Sequence, residues 1–182
     1  MTPSIALLAR VAPLFGRLLE EPGDDRRTVA SAVQEMLRED APSAADLVGR
    51  FASAIDTQSL DALRELYAST FDLSPVCVPY ASVHLFGDES FKRAGLMGAL
   101  AEAYRDAGFE PGHELPDHVA TMFRFLPKMT PEEQQDLAHF VLRPSIDRMA
   151  QALFGSRNPY RHVLDALRGL LAASVQVEAI HA

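Results

Sequence analysis

The chain has 182 residues, of which 48% are hydrophobic and 23% are charged; its 25 acidic and 17 basic side chains give a net charge of −8. This composition excludes a disordered or fibrous protein, and the length suits one folded domain over residues 1–182 rather than two. The acidic balance opposes binding to nucleic-acid phosphates and to anionic membrane surfaces, so it favours a partner that carries positive charge.

The first predicted helix covers residues 4–20 and is amphipathic. No basic segment precedes it, and Arg10 divides its apolar residues into runs too short for a signal-peptide core. No other segment approaches the ~18 consecutive apolar residues that a membrane-spanning helix requires. We therefore expect a protein that is neither exported nor inserted into a membrane.

Apolar residues recur at helical spacing along the rest of the chain, and alternation with a period of two is scarce. The segment from Thr130 to Glu133 offers an N-cap, a proline at the first helical position and a capping-box glutamate. Gly108 and Gly155 follow periodic runs, where a left-handed residue commonly ends a helix. The predicted helices cover residues 4–20, 24–40, 43–55, 59–71, 88–107, 117–127, 131–154 and 159–173. The predicted fold class is therefore all-α, a bundle of about eight or more helices.

The longest predicted irregular segment is residues 72–87, DLSPVCVPYASVHLFG. Its prolines disfavour helix, yet it is unusually apolar for a surface connection, so we expect it to pack into the helices or to bind a partner. Cys77 and His84 could form a nucleophilic pair, but no third orienting group is identifiable and a buried structural cysteine is the more frequent case. As the only cysteine, Cys77 cannot form an internal disulfide, which favours the cytoplasm.

The predicted helix 88–107 contains Gly95 and Gly98 within its periodic pattern. The chain has no glycine-rich phosphate-binding loop, so we interpret these glycines as sites of close helix packing. Basic patches with interleaved aromatic residues are also missing, which leaves nucleic-acid recognition with little support.

Residues 113–118, HELPDH, gather two imidazoles and two carboxylates. A zinc-protease helix needs two histidines four residues apart, whereas these are five apart with Pro116 between them. The alternative function is a small metal-dependent hydrolase that would bind its metal ion through the cluster from His113 to His118. We expect the Asp117 carboxylate to cap the helix that starts there, and His118 to be a partly buried histidine of its first turn.

The charge distribution around this motif favours peptide binding. Between Phe86 and His118 there are seven acidic and three basic residues, a net charge of −4. Carboxylates beside an apolar segment suit a peptide in which an arginine cluster precedes a hydrophobic run. A helical adaptor protein of another kind is a third alternative.

The run from Tyr80 to Leu126 resembles the central block of the TorD/DmsD/NarJ family of molybdoenzyme-specific chaperones, nearest the nitrate-reductase assembly (NarJ-type) branch. Three motifs carry the resemblance: Ser-x-His-Leu-Phe-Gly at residues 82–87, Tyr-x-x-x-Gly at 104–108, and Glu-Leu-Pro-Asp-His at 114–118 before an apolar helix. The specific part covers about a quarter of the chain.

The resemblance implies a TorD-like helical bundle without catalytic activity and without a resident metal or cofactor. Such chaperones bind the N-terminal, twin-arginine-like segment of the apo catalytic subunit of a molybdopterin oxidoreductase, such as nitrate reductase. They hold that subunit in the cytoplasm for insertion of the molybdenum cofactor, and proteins that deliver the cofactor are further partners.

Carried over by position, the resemblance also implies a peptide-binding site. Its recognition motif would consist of Glu114, Pro116, Asp117 and His118. The adjoining groove would be lined by Tyr80, Ser82, His84 and Phe86.

Overall fold

The computed structural model describes residues 4–176, and helices account for most of them. In chain order they are α1 (Ile5–Leu18), α2 (Arg26–Leu37), α3 (Pro42–Asp56), α4 (Leu60–Tyr67), α5 (Ala81–Phe86), α6 (Phe91–Asp106), α7 (Val119–Phe125), α8 (Pro131–Asp136), α9 (Arg143–Ala152) and α10 (Tyr160–Gln176). A π-helical turn, Ala68–Asp72, extends α4; a second, Leu137–Leu142, joins α8 to α9; and a 3-10 turn, Leu126–Lys128, follows α7. The described residues contain no β-strand, only one isolated bridge between Tyr80 and His118. The predicted all-α fold is confirmed.

The hydrophobic core lies between α1, α2, α3, α7, α9 and α10. Helix α1 packs on α2, α7 and α10, while α10 also contacts α3 and α9. On α1 the core side is made by Leu8, Val11 and Phe15, which follow helical spacing and are almost fully buried. Burial of each such side chain contributes about 1.5–3 kcal/mol, so this apolar stripe fixes the orientation of α1.

Helices α1 and α7 cross unusually closely at Gly16. A Cβ atom on Gly16 would lie 2.7 Å from the carbonyl oxygen of Ala120 and 2.8 Å from Cγ of Arg124. By contrast, a Cβ on Gly95 or Gly98 would meet nothing within 4 Å. The prediction that Gly95 and Gly98 permit close packing is therefore wrong, and Gly16 has that role instead.

Several local signals in the sequence are confirmed. The Thr130 side chain accepts a hydrogen bond from the Glu133 backbone N–H, and the Glu133 carboxylate accepts one from Thr130, which completes the capping box. Gly108 and Gly155 have φ values of 60° and 71°, the left-handed conformation that ends a helix. Residues 131–152 form a helical run, two residues shorter than the predicted 131–154, and a π-helical turn widens its middle.

The segment 72–87 is not wholly irregular, because it contains the short helix α5. Cys77, Pro79 and Ser82 are buried, so this part of the segment packs into the helices, whereas Leu73 and Val76 remain exposed. Six helical residues beside a proline are too few to give a recognisable period, which is why the sequence did not reveal this helix.

Helix α6 lies at the edge of the molecule and packs mainly on α5. Only Leu100 and Tyr104 of its residues are buried, and Phe91 at its start is 97% exposed. Among residues 4–176, no helix has the length and apolar character needed to cross a membrane.

Candidate functional site

A cavity of about 320 Å3 opens where the end of α1, the π-helical turn after α4 and the HELPDH segment meet. We call it the acidic cavity. Its carboxylates are Glu20, Glu21, Asp72 and Glu114; its other lining residues include Tyr67, Phe71, Tyr80, His113, His118 and Arg124. Polar and aromatic groups from four separate parts of the chain therefore meet in one place.

Backbone hydrogen bonds attach the HELPDH segment to the residues before α5. The Ala81 N–H donates to the carbonyl of Asp117 at 2.9 Å, and the Val119 N–H donates to the carbonyl of Pro79 at 2.9 Å. These bonds form the isolated bridge at Tyr80 and His118. The start of α5 and the start of α7 are thereby held side by side at the wall of the acidic cavity.

The Asp117 side chain is fully buried behind this wall. Its Oδ2 atom accepts hydrogen bonds from the Ser82 backbone N–H at 3.1 Å and from the Ser82 hydroxyl at 2.5 Å. Ser82 lies in the first turn of α5, so Asp117 caps α5 and not the helix that follows it in sequence. The prediction that Asp117 caps its own helix is wrong, because the bridge brings the start of a different helix within reach.

The Ser82 hydroxyl also joins Asp117 to helix α6. Arg93 Nε donates to Ser82 Oγ at 2.9 Å, and Arg93 Nη1 donates to the carbonyl of Asp88 at 2.9 Å. We call Asp117, Ser82 and Arg93 the Asp117 network. Asp117 Oδ1 is buried and accepts no hydrogen bond from the described residues, so the network carries an incompletely satisfied carboxylate.

His118 is the N-cap of α7, and its Nδ1 accepts a hydrogen bond from the Ala120 N–H at 3.2 Å. The ring packs edge-to-face on Tyr80, with the centroids 5.5 Å apart. Burial lowers the pKa of His118, while the carboxylates of Glu114, Glu20 and Asp117 act in the opposite direction. A neutral ring suits this position, because Nδ1 can accept the capping bond only when it carries no proton.

Glu114 and Tyr80 form the open side of the cavity. The Tyr80 hydroxyl donates to Glu114 Oε2 at 3.1 Å, and Glu114 is exposed. Burial, followed by the neighbouring Glu114 carboxylate, raises the pKa of Tyr80 to about 12. The phenol therefore stays protonated at neutral pH and orients one Glu114 oxygen, which leaves the other oxygen of that carboxylate for a ligand.

The cavity carries more negative than positive charge. Arg124 Nη1 pairs with Glu20 Oε1 at 2.5 Å, and Arg64 Nε pairs with Glu21 Oε1 at 3.3 Å. Within residues 4–176, neither Asp72 nor Glu114 makes an ion pair. Helix α1 ends just before Glu20, so the negative end of its dipole adds to the same field.

The eight predicted site residues lie in different places: some line the acidic cavity, some lie behind it, and two lie on α5 away from it. Tyr80, Glu114 and His118 line the acidic cavity. Ser82 and Asp117 are buried behind it, and Pro116 receives a hydrogen bond at its carbonyl from the Tyr104 hydroxyl at 2.7 Å.

The remaining two predicted residues lie on α5 and do not line this cavity. His84 Nε2 is 2.7 Å from the carbonyl of Val78, and Phe86 is 38% exposed. A role in peptide binding stays a prediction for all eight residues.

Sequence reasoning missed most of the charged residues of the cavity, namely Glu20, Glu21, Asp72 and Arg124, and also the aromatic Tyr67 and Phe71. The only sequence signal for these cavity residues was the adjacent acidic pair Glu20-Glu21 at the end of an amphipathic helix. The other residues are distant in sequence, and only the packing of α1 on α7 and the turn after α4 bring them together.

The described residues have the geometry neither of a metal site nor of a nucleophilic pair between Cys77 and His84. Among residues 4–176 no group of three or more His, Cys, Asp or Glu side chains is arranged to hold a metal ion, and His118 already uses Nδ1 as a cap. Cys77 is fully buried, which raises the pKa of its thiol to about 12, and its Sγ lies 3.6 Å from the carbonyl of Met149. His84 is bonded to a different carbonyl, so the two side chains do not form a nucleophilic pair.

Comparison with known proteins identifies a family that matches the sequence and a solved structure with a similar fold. A profile of the family described as "Nitrate reductase delta subunit" matches residues 31–166. Among solved structures, the crystal structure of a protein described as a redox enzyme maturation protein from Archaeoglobus fulgidus superposes with a TM-score of 0.62. The two sequences are 22% identical, and the match covers 91% of this chain and 93% of the other, which shows a shared fold. A search of curated proteins found no match.

Proposed function

Because the chain belongs to the nitrate reductase delta subunit family, we propose that it binds the N-terminal, twin-arginine-like segment of the apo catalytic subunit of a molybdopterin oxidoreductase, such as nitrate reductase. It would hold this subunit in the cytoplasm while the molybdenum cofactor is inserted, and proteins that deliver the cofactor are further partners. The family match confirms the resemblance recognised in the sequence. Proteins of this family are chaperones and not enzymes, so no catalytic residue is assigned.

The observation that carries the proposal is the acidic cavity with two carboxylates, Asp72 and Glu114, that form no ion pair with any of the described residues. A guanidinium presents its donors in a flat fork that matches a carboxylate, and such charge-assisted bonds are stronger than neutral ones. Two carboxylates on different segments of the chain suit a ligand with two adjacent arginines better than one with a single lysine.

Aromatic side chains of the cavity complement this charge. Tyr67 and Tyr80, which are partly exposed, give flat apolar surfaces on which an arginine side chain can stack, and the buried Phe71 ring packs behind Tyr67. The pKa of Tyr67 is raised above its usual value by burial and then by the Glu114 carboxylate, so this phenol also remains neutral. The cavity therefore combines negative charge at the rim with apolar surface inside.

Binding of this kind makes and breaks no covalent bond. Release of the client requires only that the cofactor-loaded subunit prefer its own fold to the contacts with the chaperone. The proposal therefore needs no nucleotide and no hydrolysis step.

Isothermal titration calorimetry tests the proposal with a synthetic 20-residue peptide that contains two adjacent arginines. We expect the Asp72→Asn/Glu114→Gln double variant to bind this peptide at least about tenfold more weakly than the unaltered protein. Replacing both peptide arginines by glutamine should have a similar effect. The control is Glu132→Gln, an exposed carboxylate on α8 outside the cavity. Equal binding by the double variant and the unaltered protein would contradict the proposal.

A further inference from the structure

A second cavity, of about 190 Å3, lies where the end of α1 and the start of α2 meet α3, α4 and α10. We call it the side cavity. Glu20 and Glu21 line both this cavity and the acidic cavity. The apolar side chains that line it are only 1–5% exposed and offer a ligand little surface: Val29, Phe51, Ile55 and Leu63. Its polar groups therefore decide what it can bind.

Arg26 provides the side cavity with a donor that has no acceptor. Its Nη1 atom donates to the carbonyl of Gly23 at 3.2 Å, and Nη2 donates to the carbonyl of Gln58 at 3.4 Å. Its Nε atom is buried and has no acceptor among residues 4–176. Buried donors of this kind are rare, and each one lowers the stability of the fold unless an acceptor is supplied. A ligand that places an oxygen atom beside Nε would therefore be bound more tightly.

The Tyr160 hydroxyl is a second donor of the side cavity. The hydroxyls of the other three tyrosines donate to the carbonyl of Leu19, to Glu114 and to the carbonyl of Pro116. The hydroxyl of Tyr160 has no hydrogen-bond partner in the described part of the chain, although the residue is only 2% exposed. Burial raises the pKa of Tyr160, so the phenol keeps its proton at neutral pH and can donate it.

Carboxylates at the rim of the side cavity supply acceptors. Glu21 and Asp25 are exposed, and they pair with Arg64 and Arg17 respectively. An ionised carboxylate has about four acceptor positions, so each of these side chains can accept a further hydrogen bond. The side cavity thus combines unsatisfied donors with available acceptors.

This combination selects the chemistry of the ligand. An anion would be repelled by Glu20, Glu21 and Asp25. A cation could not accept a hydrogen bond from Arg26 and would lie beside its positive charge, and an apolar side chain would leave the donors unsatisfied. A primary amide has an acceptor oxygen and two N–H donors, so it matches both kinds of group. The volume of about 190 Å3 is sufficient for one such side chain, since cavities of about 150 Å3 bind benzene.

We propose that the side cavity binds the side-chain amide of one asparagine or glutamine of the client segment. The amide oxygen accepts hydrogen bonds from Arg26 Nε and the Tyr160 hydroxyl, and the amide N–H groups donate to Glu21 or Asp25. This inference rests on the proposed function, because it assigns a second contact to the peptide whose arginines enter the acidic cavity. Since Glu20 and Glu21 line both cavities, the two together would recognise the spacing between the arginine pair and the amide.

A position scan by isothermal titration calorimetry tests this inference. The probe is an 18-residue host peptide of alanine and glycine with two central arginines and a solubilising poly(ethylene glycol) tail, in which a single glutamine is moved one position at a time. We expect one or two positions at which glutamine binds about tenfold more tightly than leucine, because only the amide satisfies the donors of the side cavity. A scan in which glutamine is preferred at no position would contradict the inference.

Arg26→Lys shows whether the side cavity recognises the amide, because it keeps the positive charge but places a CH2 group where Nε lies. We expect this variant to reduce the preference for glutamine over leucine to less than about threefold. The matched control is Arg27→Lys, since Arg27 also donates to the carbonyl of Gln58 but lies outside both cavities. Its preference for glutamine should remain about tenfold.

Tyr160→Phe is the second variant and keeps the inference testable if Arg26→Lys does not fold. It removes only a hydroxyl that has no partner among the described residues, so we expect the fold to be retained and the preference for glutamine to fall several-fold. The control is Tyr104→Phe, which removes a hydroxyl outside both cavities and should keep the preference.

The results separate the two proposals. Arginine-dependent binding without a preferred glutamine position would overturn the amide site and leave the proposed function intact. Identical preferences in Arg26→Lys and Arg27→Lys, or tighter binding of glutamate than of glutamine, would also overturn the amide site alone. Binding that does not depend on the arginines would overturn both.

Discussion

The two halves of the HELPDH segment differ sharply in their surroundings. His113 and Glu114 are exposed and line the acidic cavity, whereas Asp117 and His118 are buried and hold the starts of two helices, although the His118 ring also reaches the cavity wall. Pro116 separates the halves, and its carbonyl is fixed by the Tyr104 hydroxyl. One six-residue motif thus contains groups that are available to a ligand and groups that shape the place where the ligand would lie.

This difference changes how a substitution in the motif should be interpreted. Loss of peptide binding in an Asp117 variant would report on the position of α5 and α7, not on a lost contact with the peptide. Loss of binding in a Glu114 variant would report on the contact itself. Stability and affinity must therefore be measured for the same variants.

Asp117→Ala should give the largest effect. It leaves the Ser82 N–H and hydroxyl without their buried acceptor, which we expect to lower the free energy of unfolding by about 3 kcal/mol. Urea unfolding followed by circular dichroism measures this change. Asp117→Asn keeps an acceptor oxygen at the same place and should lose less than half as much. Equal stability of Asp117→Ala and the unaltered protein would show that the Asp117 network does not hold α5.

Glu114→Gln should give an intermediate effect, confined to binding. We expect the affinity for the twin-arginine peptide to fall about fivefold, equivalent to about 1 kcal/mol, because one exposed ion pair is lost. Unfolding by urea should change by less than about 0.5 kcal/mol, as is usual for an exposed side chain. A large loss of stability in this variant would show that Glu114, like Asp117, supports the fold, and would contradict the difference between the two halves of the segment.

The smallest effect should come from the protonation of His118. Since burial holds the pKa of His118 below the value of an unfolded histidine, about 6.5, the unfolded state takes up the proton first as the pH falls. The stabilising contribution of the neutral ring is thus complete above about pH 6.5 and declines below it. Thermal unfolding between pH 5 and 8 would detect this decline. His118→Asn, which can still cap α7, should show a weaker dependence on pH; an unchanged dependence would assign the effect to other histidines.

Local features of the fold could be predicted from the sequence because they depend on neighbouring residues. The capping box at Thr130 and the left-handed Gly108 are examples, since each is formed within a few residues. Features that depend on tertiary packing could not be predicted. Gly16 and Gly98 look alike in sequence, and only the position of α7 makes one of them a close contact.

Part of the candidate site could be predicted, because some of its residues lie in a stretch of sequence that resembles a known family. Glu114 belongs to one of the motifs that carry the family resemblance, and Tyr80 begins the run that resembles the family, so sequence reasoning found both although they are 34 residues apart. Glu20 and Asp72 belong to no motif, and they reach the cavity through the packing of α1 and the turn after α4. The function of Asp117 was misread because its hydrogen-bond partner lies 35 residues earlier in the chain.

The close crossing at Gly16 also affects how tightly a client can be held. It brings Arg124 to Glu20, so one carboxylate of the acidic cavity already has a guanidinium partner. A client arginine that pairs with Glu20 must displace Arg124, and such an exchange of one guanidinium for another is nearly neutral in free energy. If the cavity binds a client as proposed, tight capture would depend on Asp72 and Glu114, and Arg124 would remain beside the site as a competitor that pairs with Glu20 again when the client leaves.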